Sequence, residues 1–140
     1  MKVLLAVDGS DYTKRMLAYL AANPDVMGKE PEITVYHGLM ALPHHAASVV
    51  GPAQVRAYQE SELEKVFKPI RAFFAQKGLP ATFVDRVGPV ANSIAAYAEE
   101  DRFDLVVMGS HGHGELAGLV MGSVATRVLA SCKVPVLLIR

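Results

Sequence analysis

Glycines are concentrated in one stretch of the sequence whose pattern suits an anion. The stretch runs from Gly109 to Gly122, between the apolar run Leu105–Met108 and a segment with helical spacing that begins at Ser123. This pattern predicts a strand, a glycine loop and a helix N-terminus. Glycine lets the backbone approach a ligand closely, and the first N–H groups of a helix have no intrahelical partner. Phosphate oxygens can accept from such groups, so the residues alone leave two alternatives, a phosphate site and a purely structural turn.

The glycine loop carries a spaced motif that points to one protein family. Gly109-x2-Gly112-x9-Gly122-Ser123 resembles the nucleotide-binding signature of the universal stress protein family, in its ATP-binding branch. The first strand and turn, VLLAVDGS, and the last strand, VPVLLIR, resemble the same family, so the likeness covers nearly the whole chain. The resemblance implies an ATP site formed by residues from separate segments: Ala6, Asp8, Gly38, Met108, Gly109, Gly112, Gly122, Ser123 and Val124.

Asp8 and Gly38 follow the first two predicted strands, Lys2–Val7 and Ile33–His37. In an open α/β sheet, ligands bind outside the carboxyl ends of the strands, where we expect Asp8. An isolated aspartate at such a position more often caps a helix or forms a turn. The resemblance implies instead that Asp8 contacts the nucleoside and that the backbone of Gly38 lies against the adenine ring. Many relatives have a bulkier apolar residue at the position of Gly38, so side-chain packing on the ring is not expected here.

The remaining segments predict strands and helices in alternation, which is typical of a doubly wound α/β domain. Continuous apolar runs indicate strands buried on both faces, whereas the mixed pattern of Ala81–Val87 indicates an edge strand. We expect five strands and four helices in a single Rossmann-like domain over residues 1–140. The resemblance implies a parallel sheet of order 3-2-1-4-5 with helices on both faces. Asp8 and Gly109 leave the first and fourth strands, so the two motifs should meet in one crevice.

Two segments between the second and third strands have different patterns. Leu39–Gly51 has no clean hydrophobic period and predicts a long loop beside the site, of a kind that is usually functional or mobile. Gln54–Lys77 predicts a long amphipathic helix with Tyr58 on or near its buried stripe. Pro69 lies inside this helix and should kink or split it, because proline removes a donor and clashes with the preceding turn.

The composition limits the class of protein. Hydrophobic residues make up 51% of the chain and charged residues 20%, which describes an ordinary globular protein. The Lys and Arg count equals the Asp and Glu count at 14 each, so no net field attracts nucleic acid or an anionic membrane. No apolar run has membrane-spanning length and the start of the chain does not resemble a signal peptide. The single cysteine, Cys132, fits a reducing compartment, and we expect a cytoplasmic protein.

Other sites fit the sequence less well. A P-loop ATPase would place a lysine on the terminal phosphates, and no lysine lies between Gly109 and Ser123. Gly112–Ala117 matches the dinucleotide fingerprint G-x-G-x-x-A, but it lies away from a helix start and lacks the acidic residue that should follow. The histidines match no recognised ligand spacing, so we expect solvent-exposed histidines rather than a metal site. His44 and His45 lie in the predicted loop, and the others are His37, His111 and His113.

The function that these observations favour is an ATP-binding stress-response or signalling module with little or no turnover. Mg²⁺ or Mn²⁺ would accompany the nucleotide, bridging phosphate oxygens rather than occupying a protein cage. One alternative is a slow ATP hydrolase that uses His111 and His113, assisted by Glu115. Another is an interaction module that binds AMP or no nucleotide. The protein partner and the pathway are not encoded in any pattern of the sequence.

The last predicted strand, Val136–Ile139, is apolar at every position. In the implied strand order it lies at a sheet edge, and an exposed apolar edge is prone to aggregation unless something covers it. Pairing of this strand with the same strand of a second copy would satisfy its backbone and bury its side chains. We therefore expect a homodimer joined through Val136–Ile139, as relatives in the family commonly form.

Overall fold

Apolar runs that are buried on both faces form the centre of a parallel sheet. The computed structural model describes residues 1–114 and 120–140. The strands are β1 Lys2–Ala6, β2 Glu32–Leu39, β3 Ala81–Val87, β4 Leu105–Gly109 and β5 Val136–Ile139. All neighbours pair in parallel, in the order β3-β2-β1-β4-β5, which confirms the implied order. The mixed-pattern strand β3 lies at one edge, as predicted, and β5 lies at the other.

Helices cover both faces of this sheet. They are α1 Asp11–Ala22, α2 His44–Val50, α3 Pro52–Lys77, α4 Val90–Glu100 and α5 Ser123–Ser131, with a short 3-10 turn at Pro24–Met27. Successive side chains of a strand point to opposite faces, and both faces of β1 are buried. Leu5 packs with α1 and α3 in one core, and its neighbour Leu4 packs with α4 and α5 in the other. The prediction of a doubly wound α/β fold is confirmed.

The prediction that Leu39–Gly51 is a loop is wrong for most of this segment. Leu39 is the last residue of β2, and α2 occupies His44–Val50 before Gly51 ends it with a φ of 92°. None of the residues of α2 is buried. A helix that buries no face needs no hydrophobic period, which is why the sequence pattern did not indicate it and why the expected count of four helices is too low.

The helix α3 is continuous through Pro69, so of the two expected effects of this proline, a kink or a split, the split is wrong. Pro69 is exposed, whereas Phe67 and Ile70 on either side of it are buried and hold both halves of the helix on the sheet. Tyr58 is 54% exposed and does not belong to the buried stripe. Although α3 is long, no helix in residues 1–114 and 120–140 is both long and apolar enough to cross a membrane.

Candidate functional site

The carboxyl ends of β1 and β4 open onto a crevice at the point where the strand order reverses. Ala6 and Met108 lie opposite each other as the last paired residues of these strands. The crevice has a volume of about 310 Å³, at the lower end of the range for small-molecule sites. Every residue that the resemblance assigned to the site lines it, namely Ala6, Asp8, Gly38, Met108, Gly109, Gly112, Gly122, Ser123 and Val124. Their contact with a ligand stays a prediction.

The crevice has an apolar half and a polar half. The apolar half is formed by side chains of the sheet, α4 and α5: Ala6, Tyr36, Val90, Ile94, Met108, Val124 and Ala125. The polar half is formed by the end of β1, α1 and the glycine loop: Asp8, Thr13, His111, Gly112, His113 and Ser123. This division suits a ligand with a flat apolar ring at one end and a polar or charged group at the other.

Tyr36 supports the apolar half from inside the second core. Its ring stacks on Tyr97 with the ring centroids 5.5 Å apart, and its hydroxyl group is hydrogen-bonded to that of Ser93. Burial raises the pKa of Tyr97 above its ordinary value, so this phenol stays neutral at physiological pH. Tyr36 is therefore held in place behind the apolar half by ring stacking and by a side-chain hydrogen bond.

Asp8 organises the turn between β1 and α1. Its Oδ1 accepts hydrogen bonds from the Ser10 N–H at 2.9 Å and from the Thr13 hydroxyl at 3.0 Å. The Thr13 oxygen in turn accepts from the N–H groups of Asp8 and Gly9, at 3.1 and 3.2 Å. Such a turn is a common use of aspartate before a helix. Asp8 therefore does form a turn, which was the structural alternative in the sequence analysis. The turn uses only one of its two carboxylate oxygens, Oδ1.

The second carboxylate oxygen of Asp8 lies against the glycine loop. A Cβ atom at Gly112 would be 2.6 Å from Asp8 Oδ2, closer than real contacts of this kind. Only glycine can therefore occupy position 112 while Asp8 keeps its place. This contact joins the two motifs that the sequence separates by more than a hundred positions.

Gly109 and Gly38 are also sites of close approach. A Cβ atom at Gly109 would lie 2.6 Å from the Cβ atom of Tyr12, so α1 packs directly on the end of β4. A Cβ atom at Gly38 would lie 3.0 Å from a methyl group of Val90, at the start of α4. Val90 therefore fills the space beside Gly38 that a larger residue would otherwise need. Val90 is not among the site residues that were predicted from the sequence.

Gly122 and Ser123 begin α5 as predicted. Gly122 is the N-cap with φ −72° and ψ 165°, and its N–H donates to the Ser110 carbonyl at 2.7 Å. Its own carbonyl accepts from the N–H and hydroxyl groups of Thr126 at 3.0 and 2.8 Å. The loop is thus tied to both β4 and α5, and the positive end of the α5 dipole is directed at the crevice.

Three histidines line the crevice and the other two do not. His37 Nδ1 is 2.7 Å from the Val7 carbonyl oxygen, and His113 Nε2 is 2.9 Å from that of Asp8. His111 Nδ1 is 2.8 Å from the Ser110 hydroxyl, and its ring packs on Tyr12 at 5.0 Å. The remaining pair, His44 and His45, are exposed on α2 rather than in the expected loop.

Part of the glycine loop lies outside the described residues. This holds for Glu115, which the hydrolase alternative used, for Ala117, which completes the dinucleotide fingerprint, and for Gly118. Within residues 1–114 and 120–140, no group of three or more His, Cys, Asp or Glu side chains is arranged to hold a metal ion.

The fold and site together define a doubly wound α/β protein with a glycine-bordered crevice at its topological switch point. The model of the universal stress protein family matches residues 1–140. A universal stress protein of Thermus aquaticus is 31% identical over 139 residues, covering 99% of this chain and 97% of the relative. Another, YxiE of Bacillus subtilis, is 28% identical over 150 residues, covering 99% and 98%. This chain belongs to the universal stress protein family.

Solved structures of the family have the same fold. The universal stress protein UspA of Lactobacillus plantarum superposes with a TM-score of 0.81 at 19% identity, covering 100% of this chain and 97% of the other. A protein of the family from Arabidopsis thaliana, solved with AMP bound, has a TM-score of 0.69 at 18% identity, covering 99% and 90%. The universal stress protein of Archaeoglobus fulgidus in complex with dAMP has a TM-score of 0.67 at 22% identity, covering 100% and 98%.

Proposed function

We propose that this protein binds ATP in the crevice and acts in the cytoplasm as a nucleotide-sensing module of a stress response, with little or no turnover. The observation that carries the proposal is that the predicted site residues come together in one place. Residues predicted from four separate segments of the sequence line one crevice at the switch point, and its two halves match the two ends of a nucleotide. The adenine ring lies in the apolar half, and the phosphates lie against Gly112, Gly122 and the start of α5.

Adenine nucleotides are the ligand class that the relatives favour. The Arabidopsis and Archaeoglobus proteins, solved with AMP and dAMP, have the same fold over nearly the whole of this chain. ATP is larger than either nucleotide, and its additional phosphates extend along the glycine loop. Mg²⁺ or Mn²⁺ accompanies it, bound mainly through the phosphate oxygens, as Mg²⁺ is in other nucleotide sites.

Low turnover follows from what surrounds the phosphate end. His113, one of the two histidines available for hydrolysis, is hydrogen-bonded to the backbone carbonyl of Asp8, whereas a carboxylate is the usual partner that orients a catalytic histidine. No lysine lies between Gly109 and Ser123 to stabilise charge on a transferred phosphate. Hydrolysis by His111 and His113 remains the alternative, and steady release of phosphate under excess ATP would replace the proposal with it.

The resident nucleotide can be identified directly. Freshly purified protein is denatured, and the released small molecules are separated and identified by mass. ATP in the supernatant supports the proposal. Release of AMP instead would favour the alternative of an interaction module that binds AMP, the nucleotide present in the structure of the Arabidopsis relative. If no nucleotide is released and added adenine nucleotides do not bind to the protein, the proposed function is wrong.

We expect the protein to be a homodimer joined through β5. This strand lies at the sheet edge, and Val136, Leu137 and Leu138 are only half-buried in the single chain. Leu138→Lys should shift the protein towards monomer in sedimentation at micromolar concentration, because a charge at the strand pairing would be buried without a partner.

Thr82→Lys provides the matched control for Leu138→Lys, since Thr82 is exposed on the opposite edge strand β3. Leu138 also packs against the second core, so thermal unfolding must confirm that the variant stays folded. A wild-type protein that sediments as a monomer, or equal association of the two lysine variants, would discard the β5 interface.

A further inference from the structure

Two histidines of the crevice are fixed on consecutive carbonyl groups at the end of β1. His37, from β2, bonds the carbonyl oxygen of Val7, and His113, from the glycine loop, bonds that of Asp8. A carbonyl oxygen only accepts hydrogen bonds, so the bonded ring nitrogen must carry the proton in both residues. The tautomer of each neutral imidazole is thereby set: Nδ1–H for His37 and Nε2–H for His113.

The fixed tautomer determines what the other nitrogen can do. In a neutral imidazole that nitrogen is an acceptor, and it therefore repels a phosphate oxygen. In an imidazolium it carries an N–H group, and the ring then offers a charge-assisted hydrogen bond to an anion. Because His113 belongs to the glycine loop and lines the polar half, its protonation converts this part of the wall from acceptor to donor.

The crevice has few other sources of positive charge. Among the described lining residues there is no lysine or arginine, and Asp8 contributes a negative charge. The whole stretch from Gly109 to Thr126 also lacks both basic residues. An ATP or AMP phosphate group bound here is therefore balanced by backbone N–H groups, by a divalent ion or by a protonated histidine.

The polar groups that share the crevice with His113 come from several elements. The backbone carbonyl of Asp8 accepts its hydrogen bond, and the Asp8 carboxylate, Thr13 of α1, His37 of β2, His111 of the glycine loop and Ser123 of α5 also line the crevice. The Arg15 guanidinium lies over the Tyr12 ring, 4.7 Å from its centroid, and Arg15 does not line the crevice. Glu115, two positions further along the loop, lies outside the described residues.

We propose that the protonated side chain of His113 is the cation that recognises the phosphate of the bound adenine nucleotide, so that affinity for phosphorylated ligands rises as the pH falls. This inference rests on the proposed function and adds the group that distinguishes a nucleotide from its nucleoside. The sign follows from linkage: a bound anion favours the imidazolium, so affinity is greatest at acid pH and declines as the pH rises and the proton is lost.

The test compares ATP with adenosine, by calorimetry without divalent ions, between about pH 5.5 and 8.5, the interval in which imidazole changes charge. Relative to the His113→Gln variant, wild-type protein should bind ATP about three- to tenfold more tightly at the acid end, a modest factor because His113 is exposed to solvent. Adenosine affinity should not change. His113→Gln keeps a donor for the Asp8 carbonyl but cannot be protonated, so its ATP affinity should lose this dependence.

The control is His45→Gln, the same substitution on α2 and outside the crevice. Phosphate monoesters themselves gain a proton near pH 6, which weakens binding at acid pH, but this acts equally on every variant. Parallel pH profiles for wild type and His113→Gln would overturn the inference while leaving nucleotide binding in place. Absence of ATP and adenosine binding at every pH would instead overturn the proposed function, and the inference with it.

Discussion

Gly122→Val should abolish ATP binding while the protein stays folded. Gly122 is buried at the floor of the crevice, where it is the N-cap of α5. A valine side chain there would occupy the space that the phosphates need and would keep them from the first N–H groups of the helix. We expect a loss of at least about a hundredfold in affinity, which corresponds to about 2.8 kcal/mol at 1.4 kcal/mol per decade.

The backbone conformation at Gly122 can accommodate a valine without strain. The φ of −72° and ψ of 165° at Gly122 lie in the extended region that β-branched residues favour. Its hydrogen bonds to Ser110 and Thr126 use only the main-chain atoms of Gly122 and should survive the change. Ala130→Val, on the exposed part of α5, is the matched control. Calorimetry that gave Gly122→Val the same ATP affinity as this control would remove the phosphate assignment.

Much of the fold could be predicted because its strands are buried on both faces. Val3–Ala6 of β1 and Val136–Ile139 of β5 are continuous apolar runs, a pattern typical of the strands of a parallel sheet. The exposed edge strand β3 was identified by the opposite pattern. The order of the strands was a different matter, since it depends on pairing between distant segments and came only from the family resemblance.

What could not be predicted depends on contacts that leave no periodic pattern. α2 buries none of its residues, so its sequence shows no helical stripe. Val90 of α4 packs beside Gly38 of β2, although the two residues lie more than fifty positions apart in the sequence. A hydrophobic pattern identifies Val90 only as an apolar residue and does not indicate this contact. Site residues such as Thr13 are recognised only once the turn that Asp8 forms is seen.

The Asp8 turn also changes what a substitution at Asp8 would measure. Asp8→Ala removes the acceptor for Ser10 and Thr13, so it should reduce the free energy of unfolding by about 1–2 kcal/mol even without ligand. Asp8→Asn keeps an oxygen that can accept both hydrogen bonds but carries no charge. The pair of variants therefore separates the structural role of Oδ1 from the charge of the carboxylate.

Asp8→Ala should weaken ATP binding by about one to two decades, because losing a charge-assisted hydrogen bond to the nucleoside costs about 1.5–3 kcal/mol. Binding of inorganic triphosphate, which has no nucleoside, should hardly change. Asp8→Asn should resemble wild type in thermal unfolding and fall between wild type and Asp8→Ala in ATP affinity. Asp8 Oδ2 also lies beside Gly112, a residue of the proposed phosphate site, so the experiment can also show that Asp8 acts on the phosphates. Equal losses for ATP and triphosphate would move Asp8 from the nucleoside end of the crevice to its phosphate end.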